Sequence, residues 1–306
     1  MSCILKNKFI FWLKIEEAPT LSVLRAMVPT RVSRRVLGES AGGGAKVWAE
    51  IIKLSESPSI VCNLGQGFPD FAGTGIARTA ACSVIKSDAK LNQYSPVPGI
   101  ASIRQELASL WNKSVSNSFM DSDKNVLCTT SGTEALYVAM QSIINPGDEV
   151  LVFEPFFPWY LPAVRMAGGI PIVLTLKSPQ FDIDFEDLKR KLTPKTKCVM
   201  FNTPHNPTGH VASKEEIEKL SRICIDENLV CVSDEVYEHF IFSESTPHMK
   251  IADVPGMQER TLTIGSASKM FSLTGWRVGW MFGPEDIISA CRTIHGKYCS
   301  FIYYYY

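Results

Sequence analysis

The segment "TKCVMFNTPHNPTGHVASKEEIEKLSRICIDENLVCVSDEV", residues 196–236, decides the fold class. An apolar run opens it, a helix-like segment follows, and a second apolar run closes it. Apolar strands separated by helix-length segments are typical of a parallel sheet covered on both faces. The same alternation extends outward in both directions, with further strands predicted at 125–130, 149–155, 170–176 and 260–268. The sequence therefore predicts an α/β fold with a mostly parallel sheet.

Composition excludes two classes of main partner. The 306 residues include 31 basic and 31 acidic side chains, so the net charge is zero. Nucleic acid and anionic membrane surfaces attract strongly basic proteins, and this chain is not basic. A hydrophobic content of 45% and a mean hydropathy of +0.04 indicate a globular protein with a sizeable core. The one apolar patch near the start is too short to cross a membrane, so no membrane association is predicted.

The cysteine and histidine patterns predict neither disulfides nor a metal site. None of the nine cysteines forms a CxxC pair, and the five histidines show no HxxxH spacing. Thiols in apolar runs behave as small buried hydrophobes, which indicates a reducing compartment. The cysteines in such runs are Cys62, Cys128, Cys198, Cys224 and Cys231.

Residues 1–44 read as a flexible or targeting-like arm. The stretch from Met27 is free of acidic residues until Glu39 and fits a weak transit peptide, whereas Glu16 and Glu17 do not fit one. A disordered arm or a misplaced start codon remains an alternative. The expected compartment is the cytoplasm or the mitochondrion.

Polar residues fall where predicted strands end, which is where ligands collect in α/β sheets. Ser131, Gly132 and Thr133 begin a helix after "NVLCTT", and the N–H groups there suit a phosphate. A plain helix cap is the alternative. Phe157 follows the strand "EVLVFEP" and could stack on a flat ring or pack in the core.

The strands of the opening segment end in amides and a carboxylate. Asn202 and Asn206 lie on a turn-rich loop, where Asn206 could be only a turn former. Asp234 follows an apolar strand, and a carboxylate there needs a donor or a cation unless it caps a helix. Tyr237 lies three residues on, within reach of the same site.

The stretch "SASKMFSLTGWRVGW", residues 266–280, supplies the cations. Lys269, at the end of a buried strand, can act as an imine-forming nucleophile with a lowered pKa. Arg277 and the hydroxyl of Ser266 suit a phosphate, and Gly275 is expected to let the backbone turn tightly there. A phosphate cradle, a stacking ring, a carboxylate and an amine together are what pyridoxal 5′-phosphate (PLP) requires.

These motifs resemble a known family. "NxxxNPTG", "SDEVY" and "SxSKxFxxxGWRxGW", in this order, look like the class I/II aminotransferases of PLP fold type I. "NLGQGFPDF" and "LNQYSPVPG" are similar to the kynurenine/glutamine transaminase branch, whose members often also act as cysteine-conjugate β-lyases. The resemblance covers roughly residues 45 to 301. It implies a seven-stranded, mostly parallel sheet between helices.

The resemblance also implies a role for each candidate residue. Lys269 would be the Schiff-base lysine and proton shuttle, and Asp234 would pair with the pyridine nitrogen. Tyr237 and Asn206 would hydrogen-bond the ring O3′, and Phe157 would stack on the ring. The implied phosphate contacts are Gly132, Thr133, Ser266, Arg277 and, from a neighbouring subunit of a homodimer, Tyr94. The implied substrate-side residues are Trp48, Gly67 and Asn202.

One departure from the family bears on the domains. The resemblance implies a C-terminal lobe whose arginine clamps the substrate carboxylate, and we expect this lobe to be missing here, since the given sequence reaches only Tyr306. The expected organisation is an arm (1–44), the start of a small domain (45–75) and a PLP-binding large domain (76–306). The expected activity is transamination from an aromatic or sulfur-containing amino acid to a 2-oxo acid. Alternatives are a C–S lyase or aminocyclopropane-carboxylate synthase-like enzyme of the same fold, or a truncated non-catalytic chain.

Overall fold

The computed structural model describes residues 44–57, 65, 67–87, 89–115, 119–243 and 247–298. The chain divides into two compact units between Lys53 and Leu54, and the sheet lies entirely in the second. Within the described ranges, no helix combines the length and apolar character that a membrane crossing needs. The predicted arm, and with it the targeting hypothesis, lies outside the described residues.

Seven strands and nine helices are found in the described ranges. The strands are β1 (Val126–Thr129), β2 (Glu149–Glu154), β3 (Ile170–Thr175), β4 (Thr196–Asn202), β5 (Val230–Asp234), β6 (Thr261–Ser266) and β7 (Gly279–Phe282). The helices are α1 (Gly44–Ser55), α2 (Gly75–Ser87), α3 (Ala101–Ser114), α4 (Gly132–Ile143), α5 (Tyr160–Met166), α6 (Phe185–Lys191), α7 (Lys214–Asp226), α8 (Ala267–Met270) and α9 (Glu285–Tyr298).

The strands form one sheet in the order β1-β7-β6-β5-β4-β2-β3. All neighbouring pairs are parallel except those of β7, which runs antiparallel to both β1 and β6. The predicted mostly parallel, seven-stranded sheet is therefore confirmed. Six strands coincide with the predicted apolar runs, whereas β7 begins within the stretch 266–280 and is not predicted by the alternation.

Alternate residues of the strands point to opposite faces, as the period of two requires. Met200 and Val232 face the cluster that α4, α5 and α9 cover. Val199 and Cys231 face the cluster that α6 and α7 cover. Both faces are thus buried, which explains why the strands read as continuous apolar runs rather than alternating ones.

The predicted buried cysteines are confirmed wherever the structure describes them. Cys128, Cys198, Cys224 and Cys231 are buried free thiols. Burial raises the pKa of the Cys128 thiol to about 12, since the thiolate would lose its hydration. Cys62 lies outside the described residues.

Candidate active site

The strands carrying the predicted chemistry are neighbours in the sheet. β6, β5 and β4 lie side by side, and Asn202 pairs in register with Asp234, which pairs with Ile264. Because these strands are parallel, their carboxyl ends form one edge. That edge brings together the Asn202 loop, Asp234 with the turn after it, and the Ser266–Lys269 segment.

Asp234 is buried, with a relative exposure of 5%, and its carboxylate has two donors. The phenolic O–H of Tyr160 donates to Oδ2 over 2.7 Å, and the backbone N–H of Val236 donates to Oδ1 over 3.3 Å. Burial raises the pKa of Asp234 to about 6, and the two hydrogen bonds counteract part of that rise. A turn rather than a helix follows Asp234, so the alternative of a helix N-cap is wrong.

Lys269 lies on the four-residue helix α8, immediately after β6. Its ammonium group donates a hydrogen bond to the carbonyl oxygen of Gly67, and Nζ lies 5.7 Å from the ring centroid of Tyr237. Partial burial, and then the nearby Arg277 guanidinium, lower the pKa of the lysine. This is the direction expected from the sequence. Gly67 is therefore brought to the site together with Lys269.

Two tyrosines neighbour the carboxylate, and Phe157 contacts one of them. Phe157 is half-buried and meets the ring of Tyr160 edge-on, with centroids 5.7 Å apart. Tyr237 is half-buried, and burial followed by the nearby Asp234 charge raises the pKa of its hydroxyl. Sequence reasoning did not assign a role to Tyr160. The available signal was a tyrosine three residues after Phe157, at the start of α5, the helix that follows β2.

The start of α4 has the form of an anion-binding turn. Ser131 caps the helix, and the N–H groups of Gly132 and Thr133 donate to no residue that the structure describes. A Cβ on Gly132 would lie 3.9 Å from Cβ of Ser266, so the two predicted phosphate residues are adjacent. The first turn of a helix with available N–H groups favours an anion.

Gly279 has a packing role in this turn that sequence reasoning missed. A Cβ at Gly279 would lie 2.4 Å from the carbonyl carbon of Ser131 and 2.7 Å from the nitrogen of Gly132. Only glycine allows β7 to approach the turn so closely.

Arg277 is exposed and adopts the left-handed conformation, with φ 57° and ψ 51°. Its guanidinium donates to the carbonyl oxygen of Thr274 over 3.0 Å. We expected Gly275 to supply the tight turn here, and that expectation is wrong. The positive φ belongs to Arg277, whereas no atom lies within 4 Å of a Cβ placed on Gly275.

Asn202 organises the loop that carries Asn206. Its side-chain nitrogen donates to the carbonyl oxygens of Asp234 (2.8 Å) and Pro204 (3.3 Å), and its oxygen accepts the Asn206 N–H over 2.7 Å. The side chain therefore joins β4, β5 and the loop. Its contact with a substrate carboxylate stays a prediction.

Two predicted site residues lie apart from this edge or outside what can be described. Tyr94 is 65% exposed in the segment before α3, and the contact from a second subunit stays a prediction. Trp48 belongs to α1 in the first compact unit, and its side chain is outside the described part.

Comparison with known proteins identifies the family to which the chain is similar. The family model for aminotransferase class I and II matches residues 59–303. Kynurenine–oxoglutarate transaminase 1 from Homo sapiens is 41% identical over 259 residues, which cover 81% of this chain and 61% of the relative. The chain thus spans about 60% of the length of the curated relatives it first matches.

Solved structures show the same fold. N-succinyldiaminopimelate aminotransferase from Mycobacterium tuberculosis has a TM-score of 0.80 at 39% identity, over 84% of this chain and 66% of the other. A protein from Escherichia coli described as having a methionine aminotransferase function has a TM-score of 0.79 at 30% identity, with the same coverage. From its profile match and its fold, this chain belongs to the class I and II aminotransferase family.

Proposed function

We propose that the protein binds PLP and transfers an amino group from an aromatic or sulfur-containing amino acid to a 2-oxo acid. The observation that carries the proposal is the arrangement around Tyr237. The Lys269 amine lies 5.7 Å from its ring centroid, and burial, followed by the nearby Asp234 carboxylate, raises the pKa of its hydroxyl. An amine and a carboxylate near one aromatic hydroxyl are groups of the kind that this cofactor uses.

The family supports the cofactor and the reaction class. Class I and II aminotransferases are generally PLP-dependent. The choice of amino donor is supported by the names of relatives, which include kynurenine–oxoglutarate transaminases and a methionine aminotransferase. Kynurenine carries an aromatic ring and methionine a thioether, so both donor classes enter the proposal.

The residues present fit PLP by the chemistry of their donor set. The N–H groups of Gly132 and Thr133, with the Ser266 hydroxyl and the exposed Arg277 guanidinium, would hold the phosphate. Asp234 would accept a hydrogen bond from the protonated ring nitrogen, and Phe157 would stack on the ring. Tyr237 and Asn206 would donate to the ring oxygen.

The bound cofactor would supply an electron-withdrawing ring that stabilises negative charge on the substrate Cα. Lys269 would take the Cα proton and hold it on Nζ. Its lowered pKa serves this role because a larger fraction of the amine is neutral near physiological pH. Asp234, ionised above pH 6, would keep the opposing ring nitrogen protonated.

We propose further that the active form is a homodimer in which Tyr94 reaches the partner's phosphate. The exposed Tyr94 side chain supports this, and light scattering of the purified protein tests it. A monomer that retains full activity would contradict the dimer without affecting the cofactor.

The main experiment combines a spectrum with a product assay. Adding PLP to the purified protein should give a visible absorbance band, which Lys269→Ala abolishes and Lys189→Ala, an exposed-lysine control, retains. Incubation with kynurenine, methionine or glutamine and a 2-oxo acid should yield the transaminated products. If the wild-type protein shows no band, the proposal fails. Pyruvate and ammonia released from a cysteine conjugate, without amino transfer, would favour the lyase alternative.

A further inference from the structure

A carboxylate lies at the helix end that would receive the phosphate. Glu134 is the third residue of α4, and its Oε2 accepts the backbone N–H of Thr130 over 2.6 Å. Its backbone N–H in turn donates to the cap hydroxyl of Ser131 over 3.5 Å. The side chain therefore folds back toward Thr130, the residue before the cap.

The second oxygen of this carboxylate is held by a buried histidine from α9. Nδ1 of His295 lies 2.7 Å from Oε1 of Glu134, and the imidazole side chain is 1% exposed. Nε2 of His295 is buried and has no hydrogen-bond partner among the described residues. A proton on Nε2 would be a buried donor without an acceptor, so the arrangement favours a proton on Nδ1 that is donated to Glu134.

Glu134 and a phosphate would compete for the same groups. The positive end of a helix attracts a carboxylate and a phosphate alike, because both accept from the first-turn N–H groups. A glutamate at this helical position commonly reaches back to the N–H groups that precede the first turn. Here Thr130 and His295 each engage one of its oxygens. The carboxylate is thereby satisfied without using the N–H groups of Gly132 and Thr133.

We propose that His295 is a positioning residue that, by donating to Glu134, keeps this carboxylate out of the phosphate-binding turn and the Gly132 and Thr133 N–H groups open. The inference deepens the proposed function and rests on it. His295 belongs to α9 and is buried, so it acts on the cofactor phosphate only through Glu134.

The test compares two ligands that differ in the phosphate alone. Pyridoxamine 5′-phosphate and pyridoxamine cannot form an imine with Lys269, so calorimetry reports their non-covalent affinities. In the wild-type protein the phosphate should strengthen binding. In His295→Ala the released carboxylate should weaken binding of the phosphorylated ligand about tenfold, on the scale of one charge-assisted hydrogen bond. Affinity for pyridoxamine should be unchanged.

A double variant separates positioning from packing. In His295→Ala combined with Glu134→Gln the competing charge is gone, so affinity for the phosphorylated ligand should recover to within about threefold of the wild type. Ile288→Ala is the matched control, since it opens a cavity in the same helix facing the same core. It should lower stability and leave the ratio of the two affinities unchanged.

The outcomes are distinct. Recovery in the double variant, with an unchanged ratio in Ile288→Ala, supports the proposal. The proposal is overturned if His295→Ala leaves the ratio of the two affinities unchanged, or if Glu134→Gln does not reverse the loss of affinity for the phosphorylated ligand. Either result leaves the proposed function intact. A wild-type protein that binds both ligands equally, or neither, overturns the phosphate site and this inference together.

Discussion

The phenolic O–H of Tyr160 donates to Oδ2 of Asp234 over 2.7 Å, although the two residues lie 74 positions apart. The bond joins the first residue of α5 to the last residue of β5. Burial of Tyr160, and then the neighbouring carboxylate, raise the pKa of the phenol, so Tyr160 remains a donor at every physiological pH. The carboxylate is thereby oriented and its ionised form is favoured.

Tyr160→Phe should shift the pH dependence of the proposed activity. The hydrogen bond lowers the pKa of Asp234, so its loss should raise that pKa above about 6. The acidic limb of the plot of kcat/KM against pH should move to higher pH. The variant should therefore lose more of the wild-type kcat/KM at pH 6 than at pH 8. Tyr298→Phe, which removes a hydroxyl from an exposed side chain, should leave the limb in place. An unmoved limb in Tyr160→Phe would contradict the role given to the bond.

Gly279→Ala should damage the phosphate-binding turn. Its Cβ would overlap the backbone of Ser131 and Gly132, and overpacking of this kind costs about 1–3 kcal/mol or more. PLP affinity should fall at least tenfold, as measured by cofactor titration. Gly275→Ala is the matched control, because a Cβ there meets nothing within 4 Å. Equal effects of the two substitutions would argue against the close approach of β7 to the turn.

Lys250→Met should be strongly destabilising. Its ammonium lies 3.0 Å from Oε2 of Glu235, whose side chain is 1% exposed, and it also pairs with Glu238, the neighbour of Tyr237. Breaking a buried pair costs about 3–5 kcal/mol, because the Glu235 charge loses its lysine partner and keeps only its contacts with His248 and Ser233. Adding Glu235→Gln should restore part of that loss, as judged by urea unfolding. A double variant that shows only the sum of the two single effects would exclude coupling.

Glu216→Gln should weaken the dependence of the free energy of unfolding on pH in the acidic range. Burial opposes ionisation of Glu216, but hydrogen bonds from His210 and from the backbone N–H groups of Ser213 and Ile183 prevail and lower its pKa to about 2. This contribution is complete above the unfolded pKa, near 4.5, and is lost as pH falls toward 2. The variant should lose about 1–3 kcal/mol at pH 7 and less at pH 3.5.

Glu218→Gln, on the same helix, is the control for this measurement. Its carboxylate is 54% exposed and lies 3.7 Å from Lys214, so both stability and its pH dependence should change little. If the free energy of unfolding of Glu216→Gln changes with pH as steeply as that of the wild type between pH 7 and pH 3.5, the lowered pKa of Glu216 does not contribute to stability as described.

Sequence reasoning located the site where local pattern and sheet geometry coincide. Asn202, Asp234 and Ser266 each end an apolar run, and parallel pairing alone places such ends on one edge. The start of α4 could also be predicted from a local pattern, because Ser131 and Gly132 are typical of a helix start.

Contacts made over long sequence separations were not predictable in this way. The hydrogen bond from Lys269 to Gly67 spans 202 positions, and the pair of Glu134 with His295 spans 161. Such partners follow from how whole helices pack, which neither periodicity nor spacing encodes. Arg277 illustrates a second limit, since a left-handed arginine goes against the local preference that favoured Gly275.

The antiparallel course of β7 has a consequence for the order of folding. Ser266 and Gly279 pair across a short connection, so the segment bearing Lys269 and Arg277 closes as a local hairpin-like unit at little loop entropy. Thr129, in the first of the seven strands, pairs with the same Gly279, in the last of them. We expect β6 and β7 to gain amide protection early in refolding and β1 to dock late, because distant pairings form slowly. The phosphate-binding turn would then be the last part of the site to mature.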